Sequence, residues 1–324
     1  MPKMNEWNVD WARDMAKNGG RFGPKRVREA VYRNNCTIFH RWAYPIGGGI
    51  ERSLGDRNAF LNGTKVYARE LDVSDIPSNG YKTRLGCINV DCAEVALQLV
   101  QSGYKPAILN LASRWCPGGG YHDGCGAQEE SLCRVSTLSQ SLYQYFDEKR
   151  VFIRQAKVPH RFNVYPLDLN FGGIFSPDVT FFRHGSDNYY AFRDESFRCS
   201  VVTVSALSFR ETNRYNNSEL QYRSDDGGFT QEGEKIMLNK IRTIYRLALR
   251  GGCDSIVLGA FGCGVFKLSP DLVAELFERV LSEDEFSGKF KALPFAILEG
   301  KGTSLKPVEE NGKFAAFYKR FGRW

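Results

Sequence analysis

The sequence has no long run of apolar residues, either of the kind that opens a secretory signal or of a length that crosses a bilayer. It has no Cys-x-x-Cys pair, and its nine cysteines are an odd number, so we expect neither a disulfide framework nor a zinc site. The G-x-G-x-x-G motif and a Walker lysine are also missing, which disfavours hydride transfer and simple nucleotide hydrolysis. We therefore expect an intracellular protein with no metal, cofactor or membrane segment, in the cytoplasm or the nucleus.

The chain has 324 residues, of which 42% are apolar, enough for one large domain or two modest ones. A net charge of +7 would attract a polyanion, but 44 basic and 37 acidic residues form a mixed surface. Composition changes near Ser78, so we predict an N-terminal, mostly helical accessory region over residues 1–80 and a separate domain over residues 81–324. Pro24–Arg33 has the spacing of an amphipathic helix, which we favour over a nuclear address.

Apolar strand patterns alternate with amphipathic helices after that boundary. The predicted strands are Ala107–Ala112, Ser200–Leu207, Ser255–Phe261 and Pro294–Glu299. Three helices are predicted, one capped by Asp91, one ended by Gly251, and one begun by Ser269 and Pro270. This alternation predicts an α/β fold, a three-layer α/β/α sandwich with a central mixed sheet.

Two glycine-rich segments follow predicted strands, at the strand ends where open α/β sheets bind ligands. Gly118–Gly120 follows the first strand, and Gly259–Pro270 overlaps the end of the third. Glycine lets the backbone approach a ligand closely and turn N–H groups toward an anion, so two such loops would suit a diphosphate. A further triplet, Gly47–Gly49, has neither a predicted strand before it nor a pair of acids after it, and we expect only a turn there.

Gln128-Glu129-Glu130 follows the Gly118–Gly120 triplet and has two interpretations. The structural one is a helix start, because glutamates stabilise the first helical turn. The catalytic one is that two carboxylates beside a diphosphate repel each other, which favours keeping one of them protonated as a general acid. Cleavage of a glycosidic bond needs such an acid.

The motif PGGG, then seven residues, then QEES resembles the signature of poly(ADP-ribose) glycohydrolases. The stretches AILNLASRWCPGGG, FGGIFSPDV and LGAFGCGVFKLSPDLVAELF are similar to the microbial-type branch, in matching order from about Ile88 to Leu298. The resemblance implies that residues 81–324 form a macrodomain-like catalytic domain, which hydrolyses the ribose–ribose bonds of poly(ADP-ribose) and releases mainly ADP-ribose. The substrate would be the polymer or ADP-ribosylated proteins, and we expect a monomer.

The resemblance also implies roles for residues at the motif positions. Glu130 would be the catalytic acid, which protonates the leaving ribose oxygen and then activates water, and Glu129 would hold ribose hydroxyls. Phe266 would lie against the ribose. From the residues alone, Phe171 and Phe266 could equally well be core aromatics or flank the adenine or ribose. The expected substrate-binding residues are Asn110, Gly118, Gly119, Gly120, Gln128, Gly262, Cys263, Gly264, Val265 and Phe266.

Two other functions share parts of this pattern. A non-catalytic reader of ADP-ribose would need the loops but not the acids, and a hydrolase of another ADP-ribosyl linkage would need both. Cys116, Cys125 and Cys133 lie near the motif without His or Cys at ligand spacing, so we expect no metal there. His122 is expected to be a bystander, as loop histidines usually are.

Overall fold

The computed structural model describes residues 7–211, 217–299 and 312–324. Within these ranges the helices α1 to α10 are Val9–Asn18, Gly23–Arg41, Arg57–Gly63, Cys92–Gln101, Gln128–Val135, Leu138–Tyr143, Val151–Ala156, Gln231–Arg250, Pro270–Leu281 and Gly312–Phe321. The strands β1 to β9 are Ala43–Gly47, Ile50–Ser53, Lys65–Tyr67, Arg84–Ile88, Pro106–Leu111, Gly173–Arg183, Phe192–Val204, Ser255–Val257 and Ala292–Ala296. None of the described helices combines the length and the apolar character needed to span a bilayer.

Seven strands form the main sheet, in the order β3-β6-β7-β5-β8-β9-β4. β5 pairs in parallel with β7 and with β8, and β4 pairs in parallel with β9. β6 and β7 are neighbours joined only by residues 184–191, which is too short for a parallel crossover. The predicted α/β fold with a central mixed sheet is therefore confirmed.

The chain divides into two compact units, each assembled from separate segments. The first contains the described residues up to Lys65 together with Ala112–Pro166 and Ser176–Cys199. The second contains the described residues of Val66–Leu111, Leu167–Phe175 and Ser200–Trp324. The functional division at residue 80, into an accessory region and a catalytic domain, stays a prediction.

In the second unit, α4, α8 and α9 lie where the sequence pattern predicted them. The Asp91 side chain caps α4 by accepting the N–H of Ala93 at 2.8 Å. Gly251 follows the last residue of α8, and Ser269 precedes α9 but makes no capping hydrogen bond with its side chain. Pro270 is well suited to the first turn because its missing N–H would have no helical partner there. The apolar faces of α8 and α9 share one core with strand residues such as Leu293.

The predicted strands are all present in the main sheet, but their ends differ. β5 nearly coincides with the predicted strand, whereas the third predicted strand stops at Val257. The residues that continue the third predicted strand form a turn, in which Phe261 N–H donates to Gly259 O at 2.8 Å. Gly259 and Ala260 are small residues that allow the chain to leave the sheet there. β7 begins at Phe192, well before the predicted start at Ser200, and β6 was not predicted.

In the first unit, α2 confirms the predicted amphipathic helix and extends it to Arg41. Gly48 and Gly49 form the predicted turn, and all three glycines of the triplet have positive φ. A strand does precede it, because β1 and β2 make an antiparallel hairpin around this turn. A small core of this unit contains Ile38, Phe39, Tyr44, Leu54 and Phe182.

Candidate active site

Glu129 and Glu130 lie in the first turn of α5, so the helix start is confirmed. Glutamates that serve only the helix dipole normally stay in water, where the interaction contributes about 0.3–1 kcal/mol. These two are instead 3% and 7% exposed. Burial of ionisable carboxylates is costly unless hydrogen bonds replace those lost to water. Both side chains therefore need hydrogen-bond donors from the protein.

The residues before α5 supply that compensation from backbone N–H groups. Ser113 N–H donates to Glu129 Oε2 at 2.7 Å, and Gly118 N–H donates to Glu129 Oε1 at 3.0 Å. Gly120 N–H donates to Glu130 Oε1 at 2.9 Å. The Oε2 atom of Glu130 is buried and has no hydrogen-bond partner among the described residues. The two carboxylates are therefore held differently, Glu129 through both oxygens and Glu130 through one.

Gly119 lies between the two donors, and a side chain there would meet both acids. Its φ is +55°, and a Cβ there would lie 2.5 Å from Glu130 Oε1 and 3.2 Å from Glu129 Oε2. The Gly119 N–H donates to Cys116 O at 3.1 Å. The sequence suggested that these N–H groups turn toward a phosphate, but in the structure Gly118 and Gly120 use them to bind the protein's own carboxylates.

Helix α2 packs against the same loop, a contact that the sequence analysis did not foresee. Arg28 Nε donates to Gly124 O at 2.6 Å. Asn35 Nδ2 donates to Tyr121 Oη and to Arg134 O, both at 2.8 Å. Asn35 is fully buried, so its amide needs hydrogen-bond partners within the protein. Part of the predicted accessory region thus fixes the loop that holds the acids.

Two buried arginines complete this support. Arg183 Nε donates to Asn35 Oδ1 at 2.8 Å, and its other nitrogens donate to Asn34 Oδ1 and Tyr190 O. Burial lowers the pKa of Arg183 to about 9. Arg134 donates to Cys125 O at 2.7 Å, and its pKa is lowered mainly by burial. These guanidinium groups tie β6, α2 and the loop together by hydrogen bonds to neutral oxygens.

The second predicted loop lies in the second unit and follows β8. Gly262 has a φ of +76°, and a Cβ there would lie 2.5 Å from Leu268 and 2.8 Å from Ala206, so its glycine is required by the fold itself. Gly264 has no atom within 4 Å of the position its Cβ would take. Val265 is exposed, and Phe266 is partly buried against the core. The open backbone at Gly264 is the feature of this loop that a ligand could use.

The remaining predicted residues occupy different surroundings. Asn110 is fully buried in β5 and donates from Nδ2 to Thr203 Oγ1 at 3.2 Å, while Cys263 is partly buried. Gln128 is half-buried at the first position of α5. His122 stacks on Phe152 with ring centroids 4.3 Å apart, which gives this histidine a packing role. The described residues contain no group of three or more His, Cys, Asp or Glu side chains that could hold a metal ion.

Comparison with known families identifies the motif. Residues 33–184 match the model for the microbial-type PARG catalytic domain, where PARG denotes poly(ADP-ribose) glycohydrolase. The match includes both the glycine triplet and the glutamate pair, and it begins inside α2, well before Ile88. It ends before the second glycine-rich loop. A search of curated proteins finds no match.

Solved structures of the same enzymes resemble the chain over most of its length. The PARG of Thermomonospora curvata is 25% identical, with a TM-score of 0.68, and the alignment covers 91% of this chain and 100% of that one. Its complex with the inhibitor ADP-HPD gives 24% identity and a TM-score of 0.67 over the same shares. The PARG of Deinococcus radiodurans in complex with ADP-ribose is 23% identical, with a TM-score of 0.59, over 81% of this chain and 95% of that one. The predicted resemblance to the microbial-type poly(ADP-ribose) glycohydrolases, and the macrodomain-like fold that it implies, are confirmed.

Proposed function

We propose that the protein is a poly(ADP-ribose) glycohydrolase that cleaves ribose–ribose O-glycosidic bonds and releases mainly ADP-ribose. The family match over residues 33–184 and the solved glycohydrolase structures support this function. A binding module would not need two buried acids. The expected substrates are the polymer or ADP-ribosylated proteins, and the expected product is free ADP-ribose.

The single observation that carries the mechanism is the unequal binding of the two carboxylates. Both oxygens of Glu129 accept backbone N–H groups, from Ser113 and Gly118, which holds this carboxylate in one orientation. Glu130 is held by Gly120 through Oε1, and its Oε2 has no partner among the described residues. An oxygen that is fixed in place and free to carry a proton suits a general acid.

Glu130 would act twice in one cycle. Its Oε2–H would transfer the proton to the departing ribose oxygen as the glycosidic C–O bond breaks and an oxocarbenium-like ribose forms. The resulting carboxylate would then take a proton from water as the water oxygen bonds to that carbon, which restores the acid. Glu129 would accept hydrogen bonds from ribose hydroxyls.

Substrate binding would rest on residues that surround these acids in sequence and on the second loop. Gly118, Gly119 and Gly120 would face the ribose with their Cα atoms, since their N–H groups are already used. Gly262, Cys263, Gly264 and Val265 would bind the diphosphate, with the open Gly264 backbone as the closest approach. The remaining predicted contacts are Asn110, Gln128 and Phe266.

The decisive experiment compares Glu130→Gln with a matched substitution, Glu232→Gln. Glu232 is the second residue of α8 and is exposed, so it lies in a first helical turn as Glu130 does, but without the burial. We expect Glu130→Gln to lower polymer turnover by roughly 10²–10⁴-fold while ADP-ribose binding and the melting temperature are retained. Glu232→Gln should change turnover little.

Chromatography of the products separates the alternatives. Release of ADP-ribose by the wild-type protein supports the glycohydrolase, and binding of the polymer without release would indicate a reader. A folded Glu130→Gln protein with nearly full turnover would refute the proposed acid.

A further inference from the structure

One aromatic side chain on the loop that holds the acids is unusually exposed. All five tryptophans lie within the described ranges, and Trp115 is the exposed one, at 59%. Tryptophan has the largest apolar surface of any side chain, so leaving it in water forgoes a substantial stabilisation. An exposed tryptophan beside a candidate active site indicates a binding surface more than a fold requirement.

The backbone of Trp115 is fixed relative to Glu129. Ser113 N–H donates to Glu129 Oε2 at 2.7 Å, and Ser113 Oγ accepts the N–H groups of Trp115 at 3.3 Å and of Cys116 at 3.2 Å. Two residues of chain span at most about 7 Å. The backbone that carries the indole is therefore held close to Glu129.

An arginine gives the same region a positive charge. The Arg114 guanidinium carbon lies 5.0 Å from the centroid of the Trp115 ring. We call Arg114 and Trp115 the Trp115 patch. A flat aromatic ring beside a guanidinium group is the combination that binds stacked bases and phosphates.

We propose that the Trp115 patch binds the poly(ADP-ribose) chain outside the bond that is cut, with the indole stacked on an adenine and the Arg114 guanidinium paired with a diphosphate. This inference rests on the proposed function, because the polymer supplies adenine and diphosphate on both sides of each scissile bond. The patch would raise affinity for the polymer without touching the reacting atoms. It would thereby give the protein a preference for polymer over a single ADP-ribose unit.

The test is steady-state hydrolysis of the polymer by Trp115→Ala, Trp115→Phe and the control Phe162→Ala. Phe162 lies in the same unit on another loop and is 54% exposed. Its replacement by alanine therefore also removes an exposed aromatic ring, but away from the Trp115 patch. Stacking on a base contributes about 1–3 kcal/mol, so Trp115→Ala should raise KM by about 5- to 150-fold with kcat within about twofold. Trp115→Phe should restore most of the affinity, and Phe162→Ala should leave both constants unchanged.

A direct binding measurement keeps the patch testable apart from catalysis. Polymer added to Glu130→Gln should bind more tightly than to the Glu130→Gln, Trp115→Ala double variant, and the two should bind ADP-ribose alone equally. An unchanged polymer affinity in the double variant, or a fall in kcat at unchanged KM, would overturn the proposal. If the wild-type protein failed to cut the polymer, the proposed function would fail, whereas the binding difference would still decide the role of the patch.

Discussion

The substitution Gly119→Ala tests whether the loop holds the two carboxylates as the structure describes. Alanine at a φ of +55° costs about 1–2 kcal/mol of backbone strain. The new Cβ would lie 2.5 Å from Glu130 Oε1, about 1 Å closer than ordinary carbon–oxygen contact. Either the carboxylate or the loop must move, and a displacement of about 1 Å of a catalytic group lowers turnover by about 10²-fold.

The matched control is Gly48→Ala. Gly48 has a φ of +58° in the β1–β2 turn, and no atom lies within 4 Å of the position of its Cβ. In urea denaturation both variants should lose the stability that corresponds to the backbone strain, with a further loss in Gly119→Ala from the contact with Glu130, but only Gly119→Ala should lose polymer turnover. Equal turnover in the two folded variants would refute the argument that Gly119 is glycine because of the acids.

Three further predictions concern other parts of the molecule. Gly264→Val should weaken ADP-ribose binding at least about tenfold in calorimetry, because the side chain would block close approach to the backbone. Its melting temperature should stay unchanged, since the fold leaves that position open. An unchanged dissociation constant would exclude this loop from binding. Burial lowers the pKa of His122, and the Asp123 carboxylate partly opposes that shift. As the pH falls, His122 is therefore protonated in the unfolded chain before it is protonated in the folded one. The free energy of unfolding should then fall as the pH drops below about 6.5. His122→Phe should flatten that fall in urea titrations at several pH values, and a parallel slope would contradict the assignment. All nine cysteines lie within the described ranges, and only Cys125 is exposed, while burial raises the pKa of Cys116 to about 12. Peptide mapping should therefore show that a thiol reagent at neutral pH modifies Cys125 first. Early modification of Cys116 would show that the loop opens.

Helix α4 and strand β5 were predictable because their signals are local. Asp91 and the apolar spacing after it define α4 within a few residues, and a short apolar run defines β5. The strand ends were less predictable, since β8 stops at Val257 although the sequence stays apolar to Phe261. Whether a residue continues a strand depends on the neighbouring strand, which one segment of sequence does not contain.

The support that α2 gives to the loop could not be predicted for the same reason. Asn35 contacts Tyr121 and Arg134 across a sequence separation of 86 and 99 residues. Nothing in the residues near Asn35 names those partners, and the composition of residues 1–80 suggested an accessory region. The family match that begins at residue 33 agrees with the structural role of this helix.

The glycine triplet and the glutamate pair belong together even before any substrate is considered. Burying two adjacent carboxylates costs several kcal/mol unless hydrogen bonds replace the lost water. Two of those bonds come from Gly118 and Gly120, and Gly119 between them must lack a Cβ for the backbone to reach both acids. A loop of ordinary residues could not bring its N–H groups to these positions, and exposed glutamates would not need them. The spacing of the motif is therefore set by the fit of the loop around the first turn of α5, which is why so short a stretch of sequence was enough to locate the candidate site.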